Sequence, residues 1–111
     1  MSTEPRLRIV GPDGERMLTL RAACLLGRRT GSDVQIVDND ISRDHAEVVA
    51  VDGHFVLRDR ASRHGTFVNG QRVSERTLAH GDDIRLGHHT ATRIKFLVDA
   101  DSSPSGFASG L

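Results

Sequence analysis

Asp52-Gly53 separates HAEVVAV from HFVLRD, and Asn69-Gly70 separates TFV from QRV. This pairing of turn and alternation limits the fold more than any other feature of the chain. Both central residues of a two-residue hairpin turn must tolerate positive φ, and Asp-Gly and Asn-Gly do. On either side the apolar residues recur with period two, so that Ala46, Val48 and Ala50 share one face, and Phe55 and Leu57 another. The same alternation runs through RLRIV, RMLTL, ACLLG, DVQIV, DIRL and TRIKFLV, and GPDGE at Gly11–Glu15 is a further turn signal. No stretch of ten or more residues keeps a helical period. Short strands at such spacing predict an all-β protein, an antiparallel sandwich or barrel.

At 111 residues the chain is long enough for one domain with a modest core. Trp and Tyr are absent, so aliphatics and four Phe must build that core. Cys24 is the only cysteine, which excludes an intrachain disulfide and a Cys-rich zinc site. MSTEPRLRIV lacks an apolar signal-peptide region, and no apolar run approaches membrane-spanning length. The expectation is a soluble cytoplasmic protein. Residues 1–5 read as a flexible N-terminus, 6–98 as the domain, and 99–111 (DADSSPSGFASGL, from Asp99 on) as a Ser/Gly/Pro-rich tail or linker.

Fifteen basic and 15 acidic residues balance, which argues against a nucleic-acid binder. All the basic residues except Lys95 are Arg, whose planar fork suits phosphate and carboxylate. Three Gly- or Ser-containing connections concentrate this chemistry: LGRRTGSDV (Leu26–Val34), DISRDHAEV (Asp40–Val48) and RDRASRHGTFVNG (Arg58–Gly70). Loops of a sandwich gather at its two ends. If these three share an end, Arg28, Ser42, Arg43, Arg63 and His64 converge, and such a set with free backbone N–H groups makes an anion site. The competing reading takes Ser42, Asp44 and His45 as parts of a small hydrolase, but no G-x-S-x-G elbow is present. GRRTGS also lacks the P-loop pattern. His88-His89, with His80 and Asp82-Asp83 nearby, read as turn or surface residues and not as metal ligands. Arg72 and Arg76 read as solvated.

Gly27-Arg28, SRxHA at Ser42–Ala46, and the run from Asp59 through Ser62 to GTFVNG at Gly65–Gly70 resemble, in order and spacing, the forkhead-associated (FHA) domain. The likeness extends from about Leu7 to Val98. It implies an eleven-stranded antiparallel β-sandwich whose loops bind phosphothreonine peptides, with no cofactor and no catalysis. By the same resemblance Arg28 clamps the phosphate, Ser42 donates its hydroxyl, and Arg43 adds its backbone N–H. Gly27 allows close packing, His45 braces the loop, Gly65 and Thr66 shape the turn beside the threonine methyl and count among the phosphopeptide-binding residues, and Asn69-Gly70 close the following turn. Where many members carry Thr-Asn, this chain has Arg63-His64. Both remain open between ligand contact and plain loop surface, with a His64 ring N–H as the candidate replacement for the Asn donor. The implied partner is a Thr-phosphorylated protein, with an upstream Ser/Thr kinase, and no nucleic acid or membrane. Self-association through Thr3, and phosphate-independent binding through the sandwich face, are the alternatives. Asp38 and Asp40 suggest an acidic rim that favours a basic ligand residue near Asp40.

Overall fold

The computed structural model describes residues 4–98, and Thr3 and the 99–111 tail lie outside them. Eleven strands form two sheets: β1 (Arg6–Gly11), β2 (Gly14–Thr19), β3 (Ala23–Gly27), β4 (Val34–Gln35), β5 (Ala46–Val51), β6 (His54–Asp59), β7 (Thr66–Val68), β8 (Gln71–Val73), β9 (Glu75–Thr77), β10 (Asp83–Leu86) and β11 (Arg93–Leu97). One sheet runs β2-β1-β11-β10-β7-β8 and the other β4-β3-β5-β6-β9. No helix occurs among the described residues, and hence none long and apolar enough to cross a membrane.

The alternation read from the sequence selects the buried faces. Leu7, Leu26, Val48, Leu57, Ile84 and Ile94 are all at most 1% exposed, between sheets whose outward neighbours are mostly polar. Without Trp or Tyr, the core depends on many aliphatics around Phe96, with Phe55 packed against it, each fully buried side chain worth about 1.5–3 kcal/mol. Cys24 joins this core, where burial, with the nearby Asp33 carboxylate, pushes its thiol up to about 12, so it stays protonated at neutral pH.

Both predicted tight turns are present. Asp52 and Gly53 have φ of 50° and 81°, and Asn69 and Gly70 have 51° and 86°. The pairing differs from a purely antiparallel expectation at one place. β3 and β4 are parallel, with Leu26 opposite Val34. A short connection suffices because β4 is only two residues long. The loop between them is tied at its base by Asp33, whose carboxylate accepts the Leu25 N–H at 2.8 Å, and by the Ile36 N–H donating to Gly27 O at 2.9 Å. The parallel pair therefore holds a loop rigidly beside the end of β3.

A substitution pair separates backbone strain from packing. No atom lies within 4 Å of a Cβ built at Gly53 or at Gly31, but only Gly53 has positive φ. Gly53→Ala should cost about 1–2 kcal/mol from the left-handed backbone alone, while Gly31→Ala should leave stability within about 0.5 kcal/mol of the parent. Urea midpoints of the two variants check this, and equal midpoints would remove the turn assignment.

Candidate functional site

At the end of β3 the chain cannot carry a side chain. A Cβ at Gly27 would lie 2.0 Å from Arg43 O. That contact lets the next residues run beside the β4–β5 loop: Arg28 N–H donates to Ser42 O at 3.0 Å and Arg29 N–H to Arg43 O at 3.2 Å. The two adjacent arginines then diverge. Arg29 makes a two-pronged pair with Asp44, both contacts at 2.9 Å, and this pairing holds the Asp44 carboxyl below its ordinary range. Arg28 Nε donates to Ile41 O at 3.0 Å, which fixes the stem and leaves both terminal nitrogens for another partner.

His45 is fully buried beneath these loops. Ser42 N–H donates to Nδ1 at 3.0 Å, so Nδ1 is the bare nitrogen and Nε2 carries the proton. Nε2–H donates to Gly65 O at 2.7 Å. One neutral ring thus joins the β4–β5 loop to the β6–β7 loop. Burial lowers the pKa of the ring below its ordinary 6.5, and the Gly65 carbonyl only partly offsets this. Both nitrogens are engaged with backbone, so His45 has none to offer Ser42 Oγ. The Ser–His arrangement a hydrolase needs is not formed. Ser42 Oγ instead accepts Arg63 N–H at 3.0 Å, an arrangement that leaves the hydroxyl proton free to be donated.

Asp59, at the end of β6, organises the second loop. Its carboxylate accepts the Ser62 N–H at 3.1 Å, the Ser62 hydroxyl, and the Thr66 hydroxyl at 2.7 Å, while Ser62 Oγ accepts Gly65 N–H at 3.0 Å. Burial pushes this carboxyl up, but the Ser62 and Thr66 bonds outweigh it and hold its pKa below the ordinary range. The network also holds Ala61 at φ 52°, a conformation that costs an L-residue free energy. Thr66, expected to shape the turn and to be among the phosphopeptide-binding residues, is 0% exposed with its hydroxyl bonded to Asp59, so it shapes the loop from below and offers the surface no polar group. Asn69 shapes the turn that follows, with its side-chain amide bonded to Asp82 and to the Asp83 N–H, both at 3.0 Å.

Asp40 also differs from the reading of it as an acidic rim. Its side chain is 10% exposed, and Oδ2 accepts the N–H groups of His88 and His89. Those bonds, the His89 one foremost, keep its pKa below the ordinary range despite burial. Gly87 is bare for the same reason, since a Cβ there would meet Asp40 Oδ2 at 2.2 Å. His64, 39% exposed, places Nε2 3.6 Å from Asp40 Oδ1. Asp38 faces another way and lines a cleft of about 400 Å³ with Ile9, Pro12, Ile36 and Val37.

Arg28, Ser42, Arg43, Arg63 and His64 thus lie on loops tied to one another at one end of the sandwich. Arg28, Arg43 and Arg63 make no ion pair within 4 Å among the described residues, although Arg43 lies in the field of Asp44, whereas Arg29, Arg58 and Arg60 each pair with a carboxylate. The FHA domain family model matches residues 24–87, the span that contains every one of these groups. The chain belongs to the FHA family. It is 36% identical over 97 residues to the glycogen accumulation regulator GarA of Mycolicibacterium smegmatis, covering 86% of this chain and 60% of that protein. It spans only 53–54% of other curated relatives. Among solved structures, the FhaA FHA domain complexed with the intracellular domain of Rv3910 superposes with a TM-score of 0.73 at 33% identity, over 83% of this chain and 98% of that one. Mycobacterium tuberculosis EmbR in complex with a low-affinity phosphopeptide gives 0.73 at 27% identity, over 89% of this chain and 26% of EmbR.

The buried ring makes the FHA scaffold pH-sensitive in a defined direction. Folded His45 has its pKa lowered, so the unfolded chain binds the proton first as pH falls through about 6.5. The stabilisation is complete above that value and is lost below it. The denaturation midpoint should therefore be lower at about pH 5 than at about pH 7.5, and His45→Leu should flatten that dependence. At neutral pH His45→Leu should cost about 1–3 kcal/mol for each backbone group it orphans. A parent midpoint that does not change with pH would contradict the neutral-ring assignment.

Proposed function

We propose that residues 6–98 are a phosphothreonine-dependent protein-interaction module without catalysis of its own. The observation that carries this reading is the set of unspent donors at one loop end: the terminal nitrogens of Arg28, the Ser42 hydroxyl proton, and Arg43 and Arg63, which have no carboxylate partner among the described residues. A phosphate dianion offers the acceptors that this set lacks. Charge-assisted bonds to it are short and about twice as strong as neutral ones. His45 and Asp59 hold the donors in place before any ligand arrives, which reduces the ordering cost of binding.

In this reading Arg28 is the main clamp, Ser42 and the Arg43 N–H complete the phosphate shell, and Arg63 adds positive potential. Gly65 supplies backbone shape at the threonine side, Thr66 supports it from within, and Gly27, His45, Asn69 and Gly70 are scaffold. His64 offers a ring nitrogen to the ligand backbone once it turns from Asp40. The phosphorylated partner implies a Ser/Thr kinase acting upstream. The phosphopeptide complex of EmbR, an FHA-containing relative, supports the ligand class.

The test is a titration of matched peptides. A phosphothreonine peptide should bind, and its unphosphorylated form should not. Arg28→Ala should lose at least about a hundredfold, as expected for two charge-assisted bonds of roughly 1.5–3 kcal/mol each. Unchanged affinity in a folded variant would remove Arg28 from the clamp. Phosphothreonine should also exceed phosphoserine by about fourfold, the worth of one buried methyl-sized group. Equal binding would reject a methyl slot.

A further inference from the structure

Beyond the clamp loops, on the outer face of the six-stranded sheet, one row of residues carries unspent positive charge. Arg85 of β10 pairs with Phe67 of β7, and Phe67 with Arg72 of β8. Their neighbours Thr66, Val68, Ile84 and Leu86 are buried, so alternation directs Arg85, Phe67 and Arg72 outward. Arg8, Arg29, Arg58 and Arg60 each have a carboxylate at 3.4 Å or less. Arg72 and Arg85 have none among the described residues, and Arg85 Nε is buried with no hydrogen-bond partner.

Arg72 does not extend away from the protein. Its guanidinium lies over Gly65, where an added Cβ would meet Nε at 2.8 Å and Cζ at 3.1 Å. The charge is thereby drawn back toward the clamp end. Aromatic contacts make the same connection: the Phe67 and His88 ring centroids are 5.0 Å apart, and those of His88 and His64 are 6.4 Å apart. Phe67, Gly70, Asp83, Arg85, Gly87 and His88 line a cleft of about 230 Å³. Asp83 is the one carboxylate in that lining, set against Arg85 within it and Arg72 across Phe67.

We propose that this row is a second anion-reading subsite. It takes an acidic side chain, a carboxylate or a second phosphate, carried by the same ligand a few residues from the phosphothreonine. The inference rests on the clamp reading above and adds a preference for acidic flanks. It engages Arg72 and Arg85, neither of which belongs to the clamp loops. Planar guanidinium forks on either side of an aromatic ring suit a planar carboxylate or a phosphate oxygen face, and an ammonium ligand would be repelled.

The experiment uses the whole chain and calorimetry. A phosphothreonine peptide with neutral flanks is compared with a set in which one Glu, or one Gln as control, is moved through each flanking position. At one or two adjacent positions Glu should tighten binding about fivefold over Gln, the upper range for an exposed ion pair. In the Arg72→Gln/Arg85→Gln double variant, shown to be folded by its thermal melt, that ratio should collapse to within about twofold. Phosphoserine at the favoured position should at least match Glu in the parent. If Glu helps at no position, or its gain survives in the double variant, the subsite is wrong while the clamp stands. If the neutral-flank phosphopeptide binds no better than its unphosphorylated form, the clamp reading fails and the subsite falls with it.

Discussion

A single proton on Nε2 of His45 decides how the β4–β5 and β6–β7 loops are joined. With Nδ1 bare and Nε2 protonated, the ring accepts from Ser42 N–H and donates to Gly65 O. The Gly65 carbonyl also accepts the Gly87 N–H at 2.8 Å, so it ties the β6–β7 loop to the β10–β11 loop as well. Protonating Nδ1 would break the Ser42 bond at a ring that is fully buried. An unpaired buried donor costs about 1–3 kcal/mol. Ser42 therefore owes its placement to a buried residue three positions later. The sheets beneath contribute rigidity. Gly27 lets β3 approach the Arg43 carbonyl so closely that any side chain would push the two loops apart.

Charge acts here through placement and not through amount. The chain has as many acidic as basic residues, and adjacent arginines differ completely in what they can do. Arg29 is tied to Asp44 and Arg60 to Glu47, pairs that orient the surface around the site. Arg28 bonds only a carbonyl, which orients its fork without neutralising it. Arg28, Arg43 and Arg63 make no ion pair among the described residues, and in the proposed reading a bound phosphate supplies the missing negative charge. Ligand binding and loop stability are thus coupled: a phosphate that binds only the folded loops stabilises them by mass action.

Local signals carried much of this into the sequence. The positive-φ turns at Asp52-Gly53 and Asn69-Gly70, the buried alternate residues, and the spacing of Arg28, Ser42 and His45 all depend on residues close in the chain or on a motif. What was not legible depends on distance. Asp40 accepts N–H groups from residues 48 and 49 positions away, and nothing beside it in the sequence marks it as internal. Thr66 looks like a loop hydroxyl until Asp59 is seen beneath it. β9, Glu75–Thr77, has no apolar alternation of its own and exists because β6 offers it an edge, with Arg58 opposite Glu75. Arg72 reads as solvated by its neighbours, and only the bare Gly65 shows where its guanidinium rests.

These distant contacts explain why the two flanks of the clamp differ. On one side Asp38 opens onto a cleft with Ile9, Ile36 and the 81% exposed Val37. On the other, Phe67 and His88 lead toward Arg72 and Arg85. Asp40 is withdrawn into the structure by the N–H groups it caps, and His64 lies beside its remaining oxygen. A phosphate at Arg28 is symmetric and carries no direction. In the proposed reading direction comes from the flanks, one lined by Ile9, Ile36 and Val37 with Asp13, Glu15, Arg16 and Asp38, the other by Phe67 and His88 with Asp83 and Arg85. In the proposed phosphopeptide reading, an extended ligand crossing this end would meet different chemistry on its two sides, and the pairing of its flanking residues with those surfaces would set which way it runs.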